Sequence, residues 1–478
     1  MDPIDVASLL DDRPGDGVFR VHRGVFSDPR IFELEMKYIF EANWVFLGLT
    51  SQVPHPHDYL TTTVGRQPVV VMRDGEGNLN AFINSCPHKG AKLCHLAQGN
   101  RKIHVCQYHS WSFDSAGRIR GLKFKEDGHY SPAFDDDSHD LPKLPRFEVY
   151  RGFMFGSMSD DVLPLGEYLG EAKTFIDIAV DTSPQGLELV PGVVGFTYQG
   201  NWKLQLENCS DQYHFTSTHP SYLRVLDRRA ERGWEGTVRA NVRGRGGRKA
   251  QQFPADGLEH IAGGSTSFEH GHVLNWNRRT VNDSHPLYER AEELKERFGE
   301  ARRDWMFNTR NLTLFPNVQI AENASSQLRV IRPIAPNKTE MLTYCIAPVG
   351  ESPSARAQRI RQYEDFFNPS GLATPDDTIN YEDCQDGHMN PLAPWLQGYA
   401  RGMTLASGDG DPFIDKLGVK ALSSAIGGVE LGDETIFHTY YRTWRRLLLK
   451  GLNAERAAAR AGTNNTASAP AGTMETVR

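Results

Sequence analysis

The sequence predicts an α+β protein: a small all-β unit joined to a larger unit of helices and antiparallel sheet. Three observations predict it. Between residues 41 and about 155, short β-like runs (WVFLGLT, DYLTTTV, PVVVMRD, LNAFINS, KIHVCQY, FEVYRGFMFGSM) are punctuated by turns such as DGEGN and DSAGR. From about residue 165, longer strand-like runs mix with helical ones. An apolar fraction of 39% with 10% aromatics, in 478 residues, sustains the cores of two or three domains.

In chain order, residues 1–40 are an acidic lead-in and a helix, DPRIFELEMKYIF. Its Ile31, Phe32, Leu34, Met36 and Ile39 form an apolar stripe expected to pack on the larger unit. Residues 41–160 are the all-β unit and residues 161–455 the larger one. QGLELVPGVVGFTYQGNWKLQLEN, NLTLFPNVQIAEN and SQLRVIRPIAPNKTEMLTYCIAPVG supply the larger unit's strands. AEELKERFGEARRDWMF, SARAQRIRQYEDFF and a last helix within DETIFHTYYRTWRRLLLKGL supply helices. The Gly/Arg-rich stretch 238–252 reads as a mobile loop, and residues 456–478 as a disordered tail.

Charge and composition exclude several functions. Asp and Glu outnumber Lys and Arg, 60 to 53, so nucleic acid is not an expected partner. No apolar run is long enough for a membrane span, and the acidic N-terminus lacks the pattern of a signal peptide. Six cysteines in this length fit a reducing cytoplasm rather than a disulfide scaffold.

The strongest local signal is CPHKGAKLCHLAQGNRKIHVCQYHSW. It holds Cys86-x-His88 and, after 17 intervening residues, Cys106-x2-His109. Two thiolates can hold one iron of a [2Fe–2S] unit while two imidazoles hold the other and raise its potential. The same composition suits tetrahedral zinc. Zinc fingers, however, usually pair cysteine with cysteine and histidine with histidine, whereas here each loop supplies one of each. Cys94 and His95 fall outside the ligand spacing, and Pro87, Gly90 and Trp111 are expected to shape or cover the centre.

A second cluster follows in NWKLQLENCSDQYHFTSTHP, with Glu207, Asn208, Asp211, His214 and His219. Asp211 and His214 would share a helix face at i,i+3. His214 and His219 would stand about 140° apart on an ideal helix, so convergence on one metal needs an irregular or terminating helix. Thr216, Ser217, Thr218 and Pro220 allow one. Hydrogen-bonded structural histidines are the competing reading. A carboxylate would complete a 2-His-1-carboxylate triad with open positions on Fe(II). GLATPDDTINYEDCQ offers Asp376 and Asp377, with Thr374 as N-cap and Pro375 at N1, although aspartates in a first turn also simply suit the helix dipole.

These motifs, over roughly residues 15–450, resemble the large subunit of Rieske non-haem iron aromatic-ring-hydroxylating dioxygenases. GRQPVVV, LNAFINSC, VYRGFMFGS and DVLPLGEYLG resemble the benzoate/toluate/anthranilate branch. The resemblance implies that Cys86, His88, Cys106 and His109 hold the cluster, and that His214, His219 and Asp377 hold the mononuclear iron. It implies that Asp211 connects His109 of one subunit to His214 of the next, with Asn208 beside the iron. Two departures are visible: CQYHSW where the family commonly has CPFHGW, and NCSDQYH where the branch often has NGADGYH.

The resemblance further implies cis-dihydroxylation of a benzoate-like carboxylate, using O2 and two electrons. Ortho-substituted acids such as anthranilate, salicylate or halobenzoate would give catechol-type products. The chain has no GxGxxG after a strand, so NADH is expected to be oxidised by a separate flavin/iron–sulfur reductase, with or without a ferredoxin. An α3 or α3β3 assembly with a small β subunit is implied. Competing readings are an aromatic-acid monooxygenase and a non-enzymatic electron carrier. Arg329 and Arg332 are candidate carboxylate donors, with a solvated strand face as the plain alternative. Leu312, Leu314 and Phe315 are candidate pocket or core residues.

Overall fold

The computed structural model describes residues 4–233, 257–408, 410–428 and 430–466. The Gly/Arg-rich stretch 238–252 lies outside them. The all-β unit contains a four-stranded antiparallel sheet of Asp58–Val64, Gln67–Arg73, Leu79–Ile83 and Gln98–Asn100, and a three-stranded sheet of Ile103–Val105, Ser112–Asp114 and Ile119–Gly121. Strand Gln67–Arg73 reads QPVVVMR, and its Val69, Val70, Val71 and Met72 are all fully buried. Branched residues that fill both faces of a central strand explain why this run is a strand.

WVFLGLT and FEVYRGFMFGSM form a separate three-stranded sheet, Val45–Leu49, Arg146–Tyr150 and Phe153–Ser157. Its Phe46, Leu49, Phe153 and Phe155 pack in one core with Trp276, Trp305 and Leu312 of the larger unit. The larger unit is organised by an eight-stranded antiparallel sheet. From one edge it runs Leu187–Tyr198, Lys338–Pro348, Ser326–Ala335, Val318–Glu322, Thr309–Leu314, Val273–Asn277, Gly263–Ser267 and Ser423–Gly427.

Alternation along these strands divides the sheet's two faces. Leu312, Leu314, Ile320, Leu328 and Val330 face one hydrophobic core. Thr313, Gln319, Arg329 and Thr343 are cross-strand neighbours in register and form a buried polar row of opposite parity. Leu312 and Leu314 are therefore ordinary core residues, and Phe315 packs with Trp202 in a second core.

The sequence misplaces several local boundaries. Residues Leu10–Arg13 and Val18–His22 form a hairpin before helix Pro29–Glu35, which ends in a π-helical turn, Met36–Glu41. GNWKLQLEN is helix Trp202–Asn208 rather than strand, because Asn201 accepts from the Lys203 N–H as its N-cap. AEELKERFGEARRDWMF is two helices, broken at Gly299 with φ 80°. The last helix runs His438–Thr466, so the first part of the expected tail is helical, and residues 467–478 lie outside the described residues.

The N-terminal segment is clamped to the larger unit by charge. Glu35 is fully buried and accepts from Lys203 Nζ at 2.6 Å, Trp202 Nε1 at 2.8 Å and Trp444 Nε1 at 2.7 Å. Three donors on a buried carboxylate meet the requirement that a buried charge be paired and hydrogen-bonded.

Candidate redox and metal centres

Two loops at one end of the all-β unit carry Cys86/His88 and Cys106/His109, and they are built alike. In each, the residue four after the cysteine donates its N–H to the cysteine carbonyl: Gly90 at 2.8 Å and Ser110 at 2.9 Å. In each, the cysteine N–H donates at 2.8 Å to the residue five after, Ala91 or Trp111. Gly90 and Ser110 both have positive φ, 76° and 62°. A tight turn thus repeats, and Ser110 holds a conformation that favours glycine.

The turns sort the four side chains into pairs. The Cys86 and Cys106 thiols are buried and within hydrogen-bonding reach of each other. The His88 and His109 rings lie 4.3 Å apart, half-buried at the surface. Trp111 stacks on His88 at 4.7 Å and 11°. Burial pushes the Cys86 thiol up, while N–H groups of His88 and Lys89 aimed at its sulfur pull it down. Burial and the nearby His109 and Lys89 keep the His88 imidazole neutral, as a ligand must be. His88 Nδ1 is buried with no hydrogen-bond partner, so it is a donor atom waiting for a group. Two thiols paired on one side and two imidazoles paired on the other suit the two irons of a binuclear unit.

Cys94 is buried, with Sγ 3.2 Å from His104 Nδ1, and His95 is exposed, so neither joins the ligand set.

The second centre is assembled from two stretches of the larger unit. Helix Trp202–Asn208 ends in a turn, and Asp211 Oδ1 accepts the N–H groups of Tyr213 at 2.6 Å and His214 at 3.3 Å. Asp211 is therefore in an Asx-type turn and not on a helix face. His214 then caps the single-turn helix Phe215–Thr218, and His219 ends it with φ −108° and ψ 39°. This break turns both imidazoles inward. Helix Thr374–His388 brings the carboxylates: its N-cap is Ala373 rather than Thr374, and both aspartates sit in its first turn.

Among the described residues, His214, His219 and Asp377 form a group whose ligand atoms lie within 4.8 Å of one another. Asp377 Oδ1 is 3.2 Å from His219 Nε2 and 3.5 Å from His214 Nε2. Asn208 Nδ2 donates to Asp377 Oδ1 at 3.1 Å and lies 3.2 Å from His214 Nε2. The opposite nitrogens face other carboxylates: His214 Nδ1 is 3.2 Å from Asp211 Oδ2, and His219 Nδ1 is 3.5 Å from Asp376 Oδ2. Neither Nδ1 contact has hydrogen-bond alignment. Burial disfavours the Asp377 carboxylate, but His219, His214 and Arg329 outweigh it and hold its pKa below the ordinary value. Two imidazoles and one carboxylate, converging and buried, could hold a metal with positions left open.

The sequence did not reveal the support beneath this centre. Glu207 is half-buried and accepts from Tyr399 at 3.1 Å and from Tyr441, and desolvation raises its pKa to about 7. Its adjacency to Asn208 was the available signal, but the two tyrosines are 192 and 234 residues away.

Residues 172–448 match the model for the ring hydroxylating alpha subunit (catalytic domain), and residues 43–134 match the Rieske [2Fe-2S] domain. The chain is 41% identical over 462 residues to toluate 1,2-dioxygenase subunit alpha of Pseudomonas putida, covering 95% of this chain and 96% of the relative. It is 39% identical to the large subunit of anthranilate 1,2-dioxygenase of Acinetobacter baylyi, covering 94% and 93%. Naphthalene 1,2-dioxygenase with indole bound superposes with a TM-score of 0.75 at 25% identity, over 90% and 92% of the two chains.

Proposed function

The chain belongs to the family of ring-hydroxylating alpha subunits, and on that premise we propose that it cis-dihydroxylates a benzoate-like aromatic carboxylate. It is a dioxygenase, with a Rieske [2Fe–2S] cluster and a mononuclear iron as cofactors. The observation that carries the reading is the convergence of His214, His219 and Asp377 in the same chain as the paired Cys/His loops. Similarity to toluate, 2-halobenzoate and anthranilate dioxygenases supports the substrate class.

In this reading Cys86, His88, Cys106 and His109 hold the cluster, and His214, His219 and Asp377 hold the iron. When bound, the cluster supplies electrons singly and the iron supplies open positions for oxygen. Asn208 fixes the Asp377 carboxylate by its 3.1 Å hydrogen bond. Asp211 stands on the outer side of His214 and is a quarter exposed. It is the link through which His109 of a neighbouring subunit reaches His214. His109 is half-buried beside an exposed Tyr108, as an inter-subunit contact requires. An α3 or α3β3 assembly follows, fed from NADH by a separate reductase, with or without a ferredoxin. No helix among the described residues is long and apolar enough to cross a membrane. All six cysteines are free, in keeping with a cytoplasmic NADH-linked reaction.

The test supplies a compatible reductase, NADH and labelled O2 with benzoate, anthranilate, salicylate and ortho-halobenzoates. Both atoms of one O2 molecule should enter the product. Single-atom products, or conversion of neutral arenes only, would overturn the reading.

A further inference from the structure

One buried cation beside the second centre has no carboxylate in direct contact, although its charge acts on Asp377. Arg329 is 9% exposed, and among the described residues no Asp or Glu pairs with it. Its Nε donates to Gln327 Oε1 at 2.5 Å, and its guanidinium lies 5.4 Å over the Phe367 ring. Burying a guanidinium with no carboxylate in contact is costly, so an arginine kept so is suited to take an anion as its direct partner.

The sheet register says where that anion would sit. Arg329 stands between Gln319 and Thr343 in the buried polar row. Gln319 Nε2 donates to the carbonyls of Gln205 and Leu206, in the helix that ends at Asn208. Thr343 Oγ1 donates to Asn368 at 2.9 Å, in the turn that precedes the helix of Asp377. Arg329 is thus held between the two segments that carry His214 and Asp377. Its positive charge is felt at both residues and at Cys209. Gln327 fixes the orientation and is itself within 3.4 Å of Tyr363 and Asn368. Arg332 is different. Three residues along the same strand, it has the opposite parity, pairs with Glu340 at 3.4 Å and reaches Thr62 in the all-β unit.

We propose that Arg329 binds the carboxylate of the aromatic acid and so sets which ring edge meets the metal. The inference rests on the benzoate-like substrate class above. A planar guanidinium pairs with a carboxylate through two parallel N–H donors, which fixes orientation as well as affinity. Phe367 alongside offers a ring face to the arene.

The experiment compares the holoenzyme with Arg329→Gln, Arg329→Lys and Arg332→Gln. It measures binding of labelled benzoate and of uncharged benzamide by equilibrium dialysis, and kcat/KM for both. Arg329→Gln should lose at least ~30-fold on benzoate, the loss expected when one side of a buried charge pair is removed. Benzamide should change little, Arg329→Lys should retain more benzoate affinity than Gln, and Arg332→Gln should match the wild type. Unchanged benzoate binding in Arg329→Gln, equal losses on benzoate and benzamide, or equal behaviour of Lys and Gln would each overturn the assignment. If the wild-type enzyme neither binds nor converts any aromatic acid, the substrate reading itself fails and this inference with it.

Discussion

Asp377→Ala tests the second centre most sharply, because Asp376→Ala is its built-in control. The Asp377 side chain is 10% exposed, and its Oδ1 lies within 3.5 Å of the inner nitrogens of both histidines. Asp376 is 34% exposed and touches only the outer nitrogen of His219, at 3.5 Å, and the Ser221 hydroxyl, at 3.3 Å. Removing one member of a buried charged set costs about 3–5 kcal/mol, or two to nearly four decades in an equilibrium constant. Removing a group that only orients a ligand costs about 10–100-fold. Asp377→Ala should therefore purify with the cluster's two irons and little of the third, while Asp376→Ala keeps all three with reduced affinity. Iron and acid-labile sulfide are counted on freshly prepared anaerobic protein. The rhombic EPR signal of the reduced cluster checks that the all-β unit is intact. Three irons and full turnover in Asp377→Ala would refute the argument and shift suspicion to another carboxylate.

Asp211→Ala should keep its iron but lose turnover, and oxidation of a prereduced cluster in a single turnover should slow; a wild-type rate would remove Asp211 from the path. Glu35→Ala leaves Lys203 buried without its 2.6 Å partner and should lower unfolding free energy by about 3–5 kcal/mol in denaturant titrations. A loss under about 1 kcal/mol, the scale of an exposed pair, would show the clamp to be incidental. Glu207 titrates near 7 in the folded protein against an ordinary 4.5, so its stabilising contribution is complete below pH 4.5 and is lost as pH rises through 7. The shift corresponds to about 3 kcal/mol. Glu207→Gln should flatten the pH dependence of Tm across that range, and parallel profiles for mutant and wild type would contradict it.

What could be read from the sequence was the part governed by ligand chemistry. Cys86-x-His88 and Cys106-x2-His109 stand out because each loop closes on its cysteine with the same two backbone hydrogen bonds and carries an imidazole two or three residues on. TPDD was readable as a helix start, but which aspartate turns inward depends on the N-cap, and that fell on Ala373, one residue before Thr374. Strands Gly263–Ser267 and Ser423–Gly427 went unread because their residues have low strand propensity. Tertiary packing imposes them: a Cβ at Gly263 would meet the Trp276 carbonyl at 2.3 Å, and one at Gly264 the Ala425 carbonyl at 2.7 Å. Arg329 and Arg332 were indistinguishable in SQLRVIRPIAP. Only the sheet register separates a buried guanidinium with no carboxylate in contact from one paired at a partly exposed strand end.

The two histidines of the second centre are committed at both ends, and this constrains their protonation. Each directs Nε2 toward Asp377 and Nδ1 toward a different carboxylate, Asp211 for His214 and Asp376 for His219. A nitrogen that ligates a metal cannot carry a proton, so with Nε2 as the proposed ligating atom the proton would reside on Nδ1. A carboxylate lies near that nitrogen in both cases, at 3.2 Å for His214 and 3.5 Å for His219, and the same tautomer suits both rings. The carboxylates differ in what lies beyond them. Asp376 belongs to the helix that also carries Asp377, so it stiffens the centre locally. Asp211 belongs to a separate turn beside the exposed Tyr213, whose ring is covered by Arg401 at 4.1 Å. Of the two rings, His214 is therefore the one whose outer nitrogen leads toward the surface, which is why loss of Asp211 is expected to cut transfer while leaving the metal in place.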